Sequence, residues 1–415
     1  MKLSLEIGQL IEVVIGPIAH GGHCVARHEG QVIFVRHALP NERVVVEVTS
    51  LAKNFARGDA VRIIESSPDR VNAPCRYAGN CGGCDFQHVS ISAQRILKAA
   101  VITEQFHRLA KIEVAVDVEE MANEFDEERR GLHWRTRVAF LADDEGRLGL
   151  RRNHSHDLVR IESCLIAVPS RATTQALARR WPPGSAVQVT VSNTGNEVVI
   201  VKNEDGGQEI LGVPQVDQKV LDRTFRVAAD GFWQVHPAAP KVLSEAVIDS
   251  LSPVSGDHGL DLYAGAGLFT GALLSRIGTS GRIDLVESST PGIADAKVNF
   301  AHSANVTIHH GEVLRVLQEM EKRGGVDIAV LDPPRAGAGA KVLRALCALT
   351  PRRLAYVACD PAALARDTGY LRDLGYFLVD IRAFDLFPMT HHVECVATFG
   401  RYLKPGKRQG ILISR

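Results

Sequence analysis

From about residue 226 onward, short apolar runs alternate with helical stretches, and this alternation constrains the fold more than any other feature of the chain. The apolar runs lie near residues 258–263, 282–287, 326–331, 354–358 and 376–384. The helical stretches lie near 238–251, 291–303, 338–349 and 361–374. A strand that must be followed by a helix before the next strand builds βαβ units, and a series of them predicts a parallel, doubly wound α/β sheet. The expected architecture is therefore a Rossmann-like domain over residues 226–415. A chain of 415 residues has room for two or three domains. There is no internal repeat and no low-complexity tract.

Residues 4–65 read differently. Apolar and polar residues alternate with frequent glycines, and Ile11–Ile15, Gln31–Val35 and Glu42–Val48 read as strands. Gly21-Gly22 and Pro40-Asn41 read as turns. A small closed OB-like barrel over residues 1–66 is expected, of a kind that often binds oligonucleotides, with a barrel that only packs on its neighbour as the alternative. Residues 67–225 form the expected central α+β domain. It holds Cys75, Cys81 and Cys84, a helix from about Ile91 to Leu109, then short strands with one helix near 170–180.

Composition excludes more than it assigns. The apolar fraction is 45% and the formal net charge is zero, so the cores are ample and any basic nucleic-acid surface must be local. Met1–Val14 carries Lys2, Glu6, Gln9 and Glu12 and reads neither as a signal peptide nor as a membrane span. Eight unevenly spaced cysteines in such a chain point to the cytoplasm, with reduced or metal-bound thiols. Cys75, Cys81 and Cys84 are spaced C-x5-C-x2-C and Cys164 lies far downstream. Four thiolates suit zinc or an iron–sulfur cluster, and the spacing alone does not choose.

Three segments carry the chemistry. The first is Gly259–Thr270, an apolar strand running into Tyr263-Ala264-Gly265-Ala266-Gly267 and then a helix. Glycines there let a cofactor approach the backbone at the C-terminal edge of the sheet. The spacing G-x-G-x-x-x-G departs from the dinucleotide fingerprint. Glu287 ends the next strand, where a carboxylate suits a ribose diol, so S-adenosylmethionine is the expected cofactor. The competing readings are a tight βα connection and a surface strand-end acid.

The second segment is Asp332-Pro333-Pro334-Arg335, at the end of another strand. Two consecutive prolines hold an extended, rigid turn that fixes Asp332 and Arg335. The third segment joins Tyr356-Val357-Ala358-Cys359-Asp360-Pro361 to Phe387–Glu394. Cys359 stands at a strand's C-terminal end before a helix start, which favours thiolate, although the Asp360 charge opposes it. A buried structural cysteine and a solvated Glu394 are the bland alternatives. A thiol nucleophile, a methyl donor and a proton acceptor together suit methylation at C5 of a pyrimidine ring, with the base flipped out of any stack.

These motifs resemble those of RNA 5-methyluridine (uracil-C5) methyltransferases that carry an N-terminal TRAM domain and an iron–sulfur cluster. The Asp332–Arg335, Tyr356–Pro361 and Phe387–Glu394 boxes appear in family order and spacing. Phe232-Trp233-Gln234 is similar to the family's aromatic-aromatic-Gln element, and Gly149–Cys164, with Ser155-His156, to its central segment. The resemblance implies Cys359 as nucleophile and Glu394 as proton acceptor. It implies Gln234, Tyr263, Glu287 and Asp332 as contacts to S-adenosylmethionine, beside Gly265 and Gly267. It also implies a 4Fe-4S cluster on Cys75, Cys81, Cys84 and Cys164. The family usually has Ser-Cys-Asn-Pro where this chain has Ala358-Cys359-Asp360-Pro361, and often Asn where His236 stands.

The expected partner is RNA, a 23S ribosomal RNA uridine first and a tRNA T-loop uridine second, with no membrane partner and the chain acting as a monomer. Arg135 and Arg137, alternating along one strand face, and Arg151, Arg152, His154 and His156 are candidate phosphate contacts. Phe232 or Trp233 is a candidate stacking residue. A non-catalytic RNA-binding iron–sulfur protein, and a cytosine-C5 methyltransferase using Asp360, are the rival readings.

Overall fold

The computed structural model describes residues 5–153 and 155–401, so His154 lies outside the described residues. The chain divides into two compact units. The first takes the chain up to Arg108, Glu113–Val242 and Ala383–Glu394; the second takes Leu109–Ile112, Leu243–Arg382 and the chain from Cys395 onward.

The first unit begins with a closed barrel. Its strands are β1 (Leu10–Ile18), β2 (Cys24–His28), β3 (Gln31–Arg36), β4 (Arg43–Leu51) and β5 (Phe55–Glu65), in the order β1-β2-β3-β5-β4. Ile11, Val13 and Ile15 point inward while Glu12 and Val14 face water, the period of two that a half-buried strand requires. Two of the five strands, β2 and β5, were not expected from the sequence. Both carry charges at their ends and along the outer face, which blurs the alternation.

Helix α1 (Ile91–Gln105) starts where expected but runs on into a π-turn at Phe106–Ala110 rather than as α-helix to Leu109. After the short strand β6 (Val118–Glu120) comes a six-stranded sheet. It is built from β7 (Arg137–Ala142), β8 (Leu148–Arg151), β9 (Leu158–Arg160), β10 (Ala186–Val191), β11 (Glu197–Lys202) and β12 (Gln208–Leu211), ordered β12-β11-β10-β7-β8-β9. Helix α2 (Arg171–Ala178) covers it, burying Ala172 and Ala176 with Phe140, Val187 and Trp181. A hairpin, β13 (Gln215–Val220) and β14 (Arg223–Ala228), follows.

The second unit is the doubly wound domain. After α3 (Ala239–Leu251) come β15 (His258–Leu262), α4 (Leu268–Ile277), β16 (Arg282–Glu287), α5 (Thr290–Asn299), β17 (Val306–His310) and α6 (Val313–Met320). Then follow β18 (Ile328–Leu331), α7 (Gly339–Ala348), β19 (Arg353–Ala358), α8 (Pro361–Asp373), β20 (Tyr376–Asp385) and β21 (Glu394–Arg401), of which residues 383–385 and 394 belong to the first unit. The strand order is β17-β16-β15-β18-β19-β21-β20.

Pairing is parallel from β17 through β19. Every residue of β18 is buried, as befits a strand covered on both faces. Two features differ from the sequence expectation. The β17–α6 pair was not anticipated, because Val-Thr-Ile-His-His at the sheet edge is not an apolar run. The sheet is also not wholly parallel: β21 runs antiparallel to β19. No helix of the described residues is long and apolar enough to cross a membrane.

Candidate active site

Four strands of the second unit end on one edge of the sheet. β16, β15, β18 and β19 are consecutive and mutually parallel, so the residues that follow them share the carboxyl edge. Chain order reverses between β15 and β18, and such a switch point is where ligands bind in open α/β sheets. Tyr263, Glu287, Asp332 and Cys359 stand at these four ends.

The turn after β15 is held in unusual backbone conformations. Tyr263 has φ 61° and Gly267 φ 90°, the left-handed region that is costly for a non-glycine residue and recurs at functional sites. A Cβ on Gly267 falls 2.2 Å from the Phe300 ring, so no side chain fits there. At Gly265 nothing lies within 4 Å of that position, which leaves backbone open to a ligand. Glu287 is buried and already engaged: Oε2 accepts from Gly265 N at 2.8 Å and Oε1 from Ser289 N at 2.6 Å. A carboxylate has about four acceptor directions, so two remain for a ribose.

Asp261 lies beneath this turn. It is fully buried, and Oδ2 accepts from Thr270 N at 2.8 Å and Thr270 Oγ1 at 2.7 Å. Its Oδ1 has no hydrogen-bond partner. Burial pushes its carboxyl well above the usual range, and burial together with the Asp261 charge does the same to Asp332. The only trace of Asp261 in the sequence is a charge within the apolar strand Gly259-Leu260-Asp261-Leu262 of the first segment, and nothing there marks it for a role.

The loop after Asp332-Pro333-Pro334 is anchored from α8. Asp367 Oδ2 accepts from Ala338 N at 2.8 Å, Gly339 N at 3.1 Å and the Tyr356 hydroxyl at 2.7 Å, while Oδ1 pairs with Arg366. Asp367 and Tyr356 are both fully buried. No sequence pattern marks either for this role. Cys359 follows β19 half-buried, and Asp360 caps α8 by accepting from Ala363 N at 2.8 Å.

The remaining candidates belong to the first unit. Gln234 is buried, Phe232 is 71% exposed, and Trp233 is packed against Phe225 with ring centroids 5.6 Å apart. Of the two stacking candidates, only Phe232 presents its ring to solvent. Arg151, Arg152 and His156 are exposed. Arg137 is turned inward instead, donating to the Gly231 carbonyl, and burial lowers its pKa. It is a structural arginine, because its strand face meets the 231 loop rather than solvent.

Cys75, Cys81, Cys84 and Cys164 line one cavity of about 700 Å³ in the first unit, and none of the eight cysteines forms a disulfide. Burial pushes the Cys84 thiol up to about 12 and raises Cys81 and Cys164, with Cys164, Cys81 and Cys75 all bearing on Cys84. Among the described residues no group of three or more His, Cys, Asp or Glu side chains is arranged to hold a metal ion directly. The thiols converge on one space without forming a ligand shell.

Two family descriptions match this chain. A TRAM domain matches residues 4–61, and a tRNA (Uracil-5-)-methyltransferase matches residues 186–402. A Streptomyces avermitilis protein named as an uncharacterized RNA methyltransferase is 46% identical, over 94% of this chain and 98% of its own length. The 23S rRNA (uracil(1939)-C(5))-methyltransferase RlmD of Shewanella piezotolerans is 30% identical, over 96% of this chain and 95% of its own. The crystal structure of Pyrococcus abyssi tRNA (uracil-54, C5)-methyltransferase with S-adenosyl-L-homocysteine superposes with a TM-score of 0.72 at 21% identity. That match covers 94% of this chain and all of the other, and it shows the shared fold.

Proposed function

The chain belongs to the RNA uracil-C5 methyltransferase family, and on that premise we propose that it converts a uridine of 23S ribosomal RNA to 5-methyluridine, using S-adenosylmethionine. The observation that carries the reading is the single sheet edge at which β16, β15, β18 and β19 end in Glu287, the Tyr263 turn, Asp332 and Cys359. Glu287 and the open backbone at Gly265 suit the cofactor's ribose, with Tyr263, Gly267, Gln234 and Asp332 completing the cofactor contacts.

Uracil C5 is a weak nucleophile, so the Cys359 thiolate first adds to C6. An Sγ–C6 bond forms and the C5=C6 electron pair moves toward O4. S-adenosylmethionine, when bound, would supply the methyl group that C5 takes up, with S-adenosylhomocysteine as the leaving group. Glu394 then takes the C5 proton, the C5=C6 bond is restored, and the Sγ–C6 bond breaks to release the thiolate. Phe232 supplies an exposed ring on which a splayed base can stack.

The proposal extends to three working parts: barrel 1–66 and central domain 67–225 for RNA, and 226–415 for methyl transfer, acting as one chain. It also extends to a 4Fe-4S cluster. Four thiols line one cavity, and thiolates are the ligands that such a group takes, although the side chains are not arranged as a ligand shell. Such a group takes its ligands as thiolates, so loading would release protons. They would hold the cluster, and methyl transfer needs no redox step.

The test uses anaerobically purified protein, methyl-labelled S-adenosylmethionine and unmodified ribosomal and transfer RNA. Label in 5-methyluridine from the ribosomal pool is the expected result. Label in the transfer-RNA pool moves the substrate, label in 5-methylcytidine moves the base, and no label in either pool removes the enzymatic reading.

A further inference from the structure

The Phe387–Glu394 segment is held by the stretch of chain that immediately follows Cys84. Met389 has φ 65°, a left-handed conformation that persists only where surroundings over-determine it. Here they do. Its carbonyl accepts from Asp85 N at 3.0 Å and Phe86 N at 2.9 Å. Its N–H donates to Gln94 Oε1 at 2.8 Å. Two residues on, His391 Nδ1 meets Asp85 Oδ2 at 2.6 Å. The barrel turn closes on the same ring: a Cβ on Gly22 falls 2.7 Å from His391 Cβ. The His391 and His392 rings lie 4.1 Å apart, and Glu394 follows two residues later.

The base of the segment is fixed as well. Lys98, fully buried, donates to Asp385 at 2.6 Å and to the Phe387 carbonyl at 3.1 Å. All of these bonds lie within the first unit.

We propose that Asp85 and His391 are positioning residues for the proton acceptor: the Asp85–His391 pair and the Met389 clamp set where Glu394 stands when the C5 proton must leave. This rests on the reading of Glu394 as that acceptor. Neither residue touches the reacting atoms. The pair acts by fixing the imidazole, and through it the backbone leading to Glu394. The physical consequence is selective. Addition of Cys359 and methyl transfer precede the step at which Glu394 works, so a displaced Glu394 leaves them intact and slows resolution of the Sγ–C6 bond. The cysteine segment thereby supports the acceptor loop mechanically, whatever group its thiols hold.

The test compares the wild type, Glu394→Gln, Asp85→Asn, His391→Asn and the Asp85/His391 double variant on the RNA that the wild type methylates. Denaturant-stable protein–RNA adduct, kcat, the KM for RNA and S-adenosylmethionine binding are measured together, with a melting curve for each. The expected outcome for Asp85→Asn and His391→Asn is adduct accumulation, with kcat lowered roughly tenfold or more and cofactor binding retained. The double variant should fall no further than either single, as for two partners of one interaction. If Glu394→Gln traps no adduct, the acceptor reading itself fails. If it traps adduct while the other two only lose melting temperature and all activities evenly, Asp85 and His391 are structural and the proposal is overturned. Asp85→Glu, which keeps the carboxylate, should recover part of kcat; no recovery also counts against it.

Discussion

Cys359 and Glu394 differ in what their removal should leave behind. Cys359→Ala removes the sulfur proposed to add to C6, so labelled transfer should fall to background while isothermal titration still finds cofactor binding. Glu394→Gln preserves addition and should instead trap RNA covalently, visible as a shifted band in a denaturing gel. His236 makes a prediction about acid. Burial lowers its pKa from 6.5 to about 4, so the folded chain keeps it neutral while the unfolded chain protonates it below about 6.5. Stability is therefore lost as pH falls from about 6.5 toward 4, by up to about 1.4 kcal/mol per unit for one such group. His236→Asn should flatten that limb by about one proton in denaturant titrations at pH 7, 6 and 5, and an unchanged slope would show that His236 is not buried neutral. The residues proposed to carry bond chemistry, Cys359 and Glu394, stand out in the sequence because few side chains can do that task. Asp261 and Asp367 were not, because their roles arise from hydrogen bonds, to Thr270 and to Tyr356 and Ala338, that only the folded sheet creates.

Among the elements, β18 and β19 were legible because strands buried on both faces must be apolar throughout. The edge strand β17 was not, since two of its five residues are histidines; one of them, His309, is held at 2.6 Å by Asp284 of the adjacent strand. The antiparallel turn of β21 follows from the short link at residues 386–393, since a parallel crossover needs a dozen residues or more. That geometry carries no signature in composition. Helix α8 offers a direct test of Asp360, one of the two departures from the family pattern beside the nucleophile. Asp360 caps it through Ala363 N, and Asn caps a helix about equally well. Asp360→Asn should therefore leave the melting temperature unchanged and keep methylation of uridine. Asp360→Ala should cost about 1 kcal/mol in denaturant unfolding. Loss of activity in Asp360→Asn with an intact melt would give the carboxylate a chemical role and revive the cytosine reading.

For the whole molecule, zero net charge means that RNA affinity must come from local basic surface, for which Arg151 and Arg152, both exposed, are candidates. Removing one arginine that neutralises a phosphate should reduce the salt dependence of RNA binding by about one unit of log–log slope, which filter binding of Arg151→Gln measures. The cysteine cavity makes the larger claim. Cys75, Cys81 and Cys84 lie within ten residues of one another while Cys164 comes from far downstream, so a group bound by all four ties distant parts of the first unit together. Such a bond resists unfolding because a preformed site does not survive in the unfolded chain. Anaerobic protein should therefore carry about four irons per chain with broad absorbance into the visible range. Cys84→Ser should lower the iron content and the melting temperature together. Zinc without iron at full stability would assign the same four thiols to a different metal. Neither metal, with wild-type stability in Cys84→Ser, would leave the cavity as a set of buried thiols, and the clamp formed by Asp85 and Phe86 on Met389 would then stand without support from any bound group.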